Sequence, residues 1–296
     1  MMELTNWRQL SDRGPDLVPC LDFPGGRAAA GFAELAAGVP VDACFLHFRQ
    51  AGAGPLAACA GRWADELLAT GRPVRAVLGY CAGTALATRL ADAIAATGPP
   101  PMVVLFDAVS TTGGSLASQF TSALESNARH LTADELADAY GLSEQLVETY
   151  PDDLPQIAAA LTDRYDRLIR AVAGRLSVHE FLRQELTGTF TAYLDYLLLA
   201  SEGGFDMRTT TPLFLCSPGY EPPVEGARTI TLDIGHADLL RAPHVHELVA
   251  DLLTGEHPWS PCLRYPRYCP HIPVSAEPKP RSCATTVRTW PSRPPS

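Results

Sequence analysis

No apolar run in this 296-residue chain reaches the roughly 20 residues that a membrane-spanning helix needs. The stretch from Met1 to Arg13 has neither the basic start nor the apolar core of a signal peptide. The expectation is a cytoplasmic protein with no membrane contact. No C-x-x-C pair occurs among the eight cysteines, which removes zinc-ribbon and thioredoxin-like readings. Cys20, Cys44 and Cys216 instead sit in apolar, strand-like runs, where a reduced cysteine behaves as a small hydrophobe. Positive charge is scarce. There are 23 Lys and Arg against 33 Asp and Glu, a net charge of -10, which disfavours binding to nucleic acid or anionic lipid.

What is present is a 46% hydrophobic chain, long enough for one large α/β domain. Leu17 to Phe23, Cys44 to Phe48, Val74 to Gly79 and Met102 to Phe106 read as strands. Helical stretches at Leu56 to Thr70 and Ala82 to Ala96 separate them. Strands alternating with helices indicate a mostly parallel sheet.

From about residue 113 to 204 that rhythm breaks and the chain reads as nearly all helix. Thr132–Glu135 and Ser177–Glu180 fit the capping-box pattern. Leu182, Leu186, Phe190, Tyr193 and Leu197 follow helical spacing. Core packing is the default for Phe190, Tyr193 and Tyr196, with pocket lining the alternative. Strands resume at Leu213 to Cys216 and Thr229 to Asp233, and a helix from Pro243 to Leu253 follows. The expected domain spans 1–256, with a helical insertion at 113–204. Residues 257–296 are proline-rich and carry six Lys or Arg against one Glu, so this tail is basic and is expected to be disordered. The spacing of its Cys262, Cys269, His271 and Cys283 matches no common metal site, and no metal or cofactor is expected.

The chemistry is concentrated at Gly79-Tyr80-Cys81-Ala82-Gly83. An apolar strand precedes it and a helix follows, the context required for a G-x-S-x-G nucleophile elbow, with cysteine in place of serine. The turn is sharp, so the flanking positions must be small, and both are glycine. The sulfur is expected at a helix N-terminus, whose dipole favours a thiolate.

A nucleophile needs a base, and the base needs an orienting acid. In this arrangement the chain order is nucleophile, acid, histidine. His236 lies after the last strand and before the last helix, where such a base is held. Asp107 follows the strand Met102 to Phe106 and is the preferred acid. Glu221, farther past its own strand, is the rival. The oxyanion donors are expected to be the backbone N–H of Ala82 and that of Gly25 or Gly26, since Pro24 has none.

Together these pieces resemble the α/β-hydrolase thioesterases of nonribosomal peptide and polyketide biosynthesis, from about Val18 to Leu253. Phe23-Pro24-Gly25-Gly26 looks like a shortened form of the family's F-P-x-x-G-type loop. Gly79 to Gly83 looks like its G-Y-S-x-G elbow. Leu105-Phe106-Asp107 looks like the strand-end acid of chain-terminating members, and Gly235-His236-Ala237-Asp238-Leu239-Leu240 resembles the segment carrying the base. The resemblance implies an α/β-hydrolase fold with the insertion as a lid. It implies a substrate held as a thioester on the phosphopantetheine arm of an acyl or peptidyl carrier protein. The chain carries no carrier or condensation module, so a free-standing enzyme is expected. An acid at Asp107 makes it look like an excised chain-terminating domain rather than an editing enzyme.

Cysteine changes the energetics that the family's serine implies. Serine converts a thioester into a more stable oxygen ester. Cysteine exchanges thioester for thioester at nearly equal free energy and keeps the acyl group activated. Transfer to a second thiol, an amine or an internal nucleophile is therefore favoured, with water the remaining acceptor.

Overall fold

The computed structural model describes residues 4–23, 31–50, 52–177, 179–207 and 209–255. Seven strands form one sheet: β1 (Trp7–Gln9), β2 (Asp16–Leu21), β3 (Ala43–Phe48), β4 (Ala76–Tyr80), β5 (Met102–Phe106), β6 (Leu213–Cys216) and β7 (Arg228–Thr231). Their order is β1-β3-β2-β4-β5-β6-β7. Only β1 runs antiparallel; every other neighbouring pair is parallel. Parallel neighbours need crossovers. These are α1 (Phe32–Gly38), α2 (Leu56–Leu68) and α3 (Gly83–Ala95), then a helical insertion between β5 and β6. The insertion comprises α4 (Gly113–Asn127), α5 (Ala133–Thr149), α6 (Leu154–Leu176) and α7 (Glu180–Ser201), and α8 (Pro243–Thr254) follows the sheet. This is the α/β-hydrolase fold.

The sequence of the central strands reflects their burial. All five residues of β4 and all five of β5 are buried, so both read as continuous apolar runs rather than alternating ones. Two cores lie on opposite faces of the sheet. One joins α2, α3 and the insertion through residues such as Trp63, Leu86, Phe120 and Leu161. The other joins α1, α8 and the turn at His236 through Phe32, Tyr80, Phe106 and Leu240. Cys81, Asp107 and Ser217 stand at the carboxyl ends of β4, β5 and β6, and His236 follows β7. No helix among the described residues is long and apolar enough to cross a membrane.

Two local expectations need correction. Ser177 does not cap α7. It ends α6 in the left-handed conformation (φ 52°), whereas an N-cap takes extended backbone, and α7 is capped by the His179 side chain instead. The first strand, β1, has no counterpart in the sequence reading, because three residues with only Trp7 buried leave no periodic signal. The Thr132 box does form: Glu135 N–H donates to Thr132 Oγ1 at 3.2 Å and Thr132 N–H to the Glu135 carboxylate at 2.9 Å. Phe190 and Tyr196 are buried in the core, and Tyr196 also lines a cavity of about 380 Å³ beside Phe23 and Phe48. Residues 256–296, with the expected tail and its Cys262, Cys269, His271 and Cys283, lie outside the described residues.

Candidate active site

Local geometry at the end of β4 sets the position of Cys81. Its N–H still donates to the Phe106 carbonyl at 2.9 Å, so it remains on the sheet ladder. Its φ is 53°, a region that non-glycine residues rarely occupy, and the chain then turns at once into α3. The turn is locked by Thr84, whose N–H (3.2 Å) and hydroxyl (2.6 Å) both donate to the Cys81 carbonyl. Packing explains the two glycines. A Cβ on Gly79 would lie 2.7 Å from the Thr84 Cα, and one on Gly83 would overlap the Leu21 carbonyl. Cys20, Cys44, Cys59 and Cys216 are buried. Among the described residues, Cys81 is the one cysteine with partial exposure.

Next along the sheet, β5 ends at Asp107, which also has positive φ (44°) and is fully buried. Its N–H stays on the ladder through the Leu215 carbonyl at 3.0 Å. A buried carboxylate must be hydrogen-bonded. Three donors meet it: Ser217 N–H at 2.6 Å on Oδ1, Ser217 Oγ–H at 2.7 Å on Oδ2, and His236 Nδ1 at 2.7 Å, also on Oδ2. The His236 bond orients the ring, with Nδ1 as the donor to the carboxylate.

His236 opens a short 3-10 turn after β7 and is half-buried. Burial works against its charged form, but the Asp107 hydrogen bond and the adjacent Cys81 sulfur outweigh it and raise the pKa to about 9. Its two faces are occupied as well. The Tyr80 ring stacks on it with centroids 4.8 Å apart and planes at 15°, and the Tyr220 ring does so at 4.8 Å and 11°. The Tyr80 hydroxyl donates to the His236 carbonyl at 2.8 Å.

Cys81, Asp107 and His236 are thus brought together, the first two at the adjacent ends of β4 and β5 and the third in the turn after β7. Ala82 stands at the N-terminus of α3, where the first N–H groups have no partner within the helix. Gly25 and Gly26 lie outside the described residues. Glu221 is exposed, and the carboxylate on the His236 ring is that of Asp107. Sequence reasoning missed Ser217, Tyr80 and Tyr220 as partners. The signal for Ser217 was its place one residue past β6, as Asp107 lies one residue past the neighbouring β5. Among the described residues no cluster of His, Cys, Asp and Glu is suited to a metal ion.

No protein-family model matches the chain, and no curated protein matches it. Among solved structures it is similar to the Vlm2 thioesterase domain bound with a dodecadepsipeptide: 17% identity over 86% of this chain and 98% of that one, with a TM-score of 0.46. It is similar to the RedJ thioesterase from the prodiginine biosynthetic pathway in Streptomyces coelicolor, at 15% identity over 81% and 86%, with a TM-score of 0.43. It is also similar to olei00960, a hydrolase from Oleispira antarctica, at 12% identity over 85% and 95%, with a TM-score of 0.48. The chemistry of this chain rests on its own residues.

Proposed function

We propose that the chain is a thioesterase-type acyltransferase that moves a carrier-bound acyl, aminoacyl or peptidyl group through a thioester on Cys81. The observation that carries this reading is the partly exposed Cys81 on a left-handed elbow, beside a histidine whose Nδ1 is held by the buried Asp107. In the first half-reaction the Cys81 proton is already held on His236, whose pKa is raised to about 9, and the sulfur adds as the thiolate to the substrate thioester carbonyl. The Ala82 N–H and a second donor, assigned to Gly25 or Gly26, hold the oxyanion. Collapse expels the pantetheine thiolate, which takes the proton from His236. In the second half an acceptor loses its proton to His236 as it adds to the acyl-Cys81 carbonyl. The Cys81 thiolate leaves and that proton stays on His236. Asp107 stabilises the imidazolium in both halves and is not itself protonated.

In this reading the α4–α7 insertion serves as a lid, the protein works in the cytoplasm, and its partner is an acyl or peptidyl carrier protein. A second thiol, an amine or an internal hydroxyl is the favoured acceptor, because the enzyme-bound thioester stays activated; water is the slower one. The test is intact-mass analysis after incubation with acyl-loaded carrier protein, with and without an added amine. An acyl increment on Cys81, absent in Cys81→Ala and discharged faster by amine than by water, is the expected result. No increment, together with full turnover by Cys81→Ala, overturns the proposal.

A further inference from the structure

The two tyrosines on His236 come from different parts of the fold. Tyr80 ends β4 and belongs to the core shared with α1 and α8, while Tyr220 follows β6 and packs against the core shared with α3 and the insertion. The imidazole lies between them, nearly parallel to both. Both centroid separations fall in the range of offset-stacked aromatic pairs. Beside the stacked faces, Asp107 holds the ring at Nδ1, and the Cys81 sulfur is a further electrostatic neighbour.

Both half-reactions run through an imidazolium: the first starts from it and the second regenerates it. In water its faces would be hydrated, and here they meet phenol rings. An aromatic face carries negative quadrupolar potential and attracts a cation, more strongly once water is excluded. A ring stacked on both faces also has one orientation, so Nε2 stays aimed while Nδ1 keeps its bond. The Tyr80 hydroxyl adds a direct link, because it joins the residue preceding the nucleophile to the carbonyl of the base.

We propose that Tyr80 and Tyr220 act as positioning residues, an aromatic clamp that fixes the plane of His236 and stabilises its protonated form. The clamp rests on reading His236 as the base. Three of the other titratable groups near the turn have their own partners. Asp238 pairs with Arg241 on the same turn, Glu34 of the neighbouring α1 accepts from the Gly31 N–H, and His246 of α8 bonds the Leu240 carbonyl. The ring environment of His236 is therefore set by Asp107, Cys81 and the two tyrosines.

Tyr220 is the residue to vary, because it is only half-buried and its replacement leaves the sheet intact. The experiment is an NMR titration of the His236 Hε1 signal in the full-length protein with labelled histidine. The signal is assigned by its loss in His236→Gln. In the wild type it should lie upfield, in the ring currents of the two stacked rings. Tyr220→Leu should move it downfield and lower the His236 pKa by about 0.5 to 1 unit, the effect of one lost cation–π face. Tyr220→Phe should keep both the upfield position and the wild-type pKa. Acylation by the carrier thioester should slow about three- to tenfold in Tyr220→Leu, through kcat rather than KM, and recover in Tyr220→Phe. An unchanged pKa in a folded Tyr220→Leu, judged by its melting curve, overturns the clamp. Equal falls in both variants also overturn it, since the hydroxyl would then be responsible. If the titration behaves as expected while Cys81 is never acylated, the clamp stands and the functional proposal fails.

Discussion

At the scale of single residues, the Asp107 carboxylate ties the site's buried charge to His236. Asp107→Asn keeps the shape but presents an amide to Nδ1, which disrupts the tautomer. The expected loss is about 10³- to 10⁴-fold in acylation rate, read by burst-phase mass spectrometry. Ser217→Ala removes one of two Ser217 donors from a buried carboxylate and should cost about 1.5 to 3 kcal/mol of stability in a denaturant titration. Glu221→Gln should leave acylation within about twofold, because the side chain is exposed. A large loss in Glu221→Gln with none in Asp107→Asn would reverse the assignment of the acid. The positions of Cys81, Asp107 and His236 were legible because each follows a strand in a fixed chain order. Ser217, Tyr80 and Tyr220 were not, since their roles depend on which strands are neighbours and which way rings turn. Neither leaves a period in the sequence.

At the scale of elements, the β4–elbow–α3 unit was the most readable part of the chain. Its apolar strand, small flanks and amphipathic helix agree at every level. The reason for the flanks became visible only in three dimensions: Gly83 faces the Leu21 carbonyl and the Tyr196 hydroxyl, and Gly79 faces the first turn of α3. Gly83→Ala should therefore displace β2 or α3 backbone and lower stability by about 1 to 3 kcal/mol, as overpacking does. Gly61→Ala in α2, where a Cβ meets nothing within 4 Å, should instead be neutral or slightly stabilising. Thermal melts of the two variants side by side make the comparison, and equal behaviour would contradict the packing argument. The insertion was readable as helix from its spacing, yet the α6–α7 junction was misread. A serine three residues before a glutamate fits a capping box, but sequence alone does not reveal that Ser177 is left-handed.

For the whole molecule, pH acts on stability through two histidines of opposite sign. Burial first, and then the nearby Arg8, lowers the pKa of His47 to about 4, below the ordinary 6.5. A depressed histidine contributes stability that is present above pH 6.5 and is lost as pH falls through 4, on the order of 3 kcal/mol. His236, raised to about 9, behaves in the opposite way: its contribution is complete below pH 6.5 and disappears as pH rises through 9. His47→Gln should flatten the fall in melting temperature between pH 6.5 and 4 and leave the alkaline side unchanged. An acid limb of the same steepness in this variant would remove His47 as its cause. The core position of His47 in β3 was readable from the strand pattern, but its neutral state was not, because that depends on its burial and on Arg8 in the neighbouring strand.

The insertion between β5 and β6 has a consequence for how the molecule comes into being. The nucleophile elbow is local, formed by residues 76 to 95. The Asp107 carboxylate meets Ser217 across 110 residues and His236 across 129. Those contacts require closure of a long loop, and contacts of such sequence separation slow folding. On the ribosome, Cys81 is made long before His236. Cys81 therefore emerges without its histidine neighbour, and in the proposed mechanism it can join a proton-transfer pair only when the last strands dock. The reactivity of this one sulfur thus reports the completion of the entire fold.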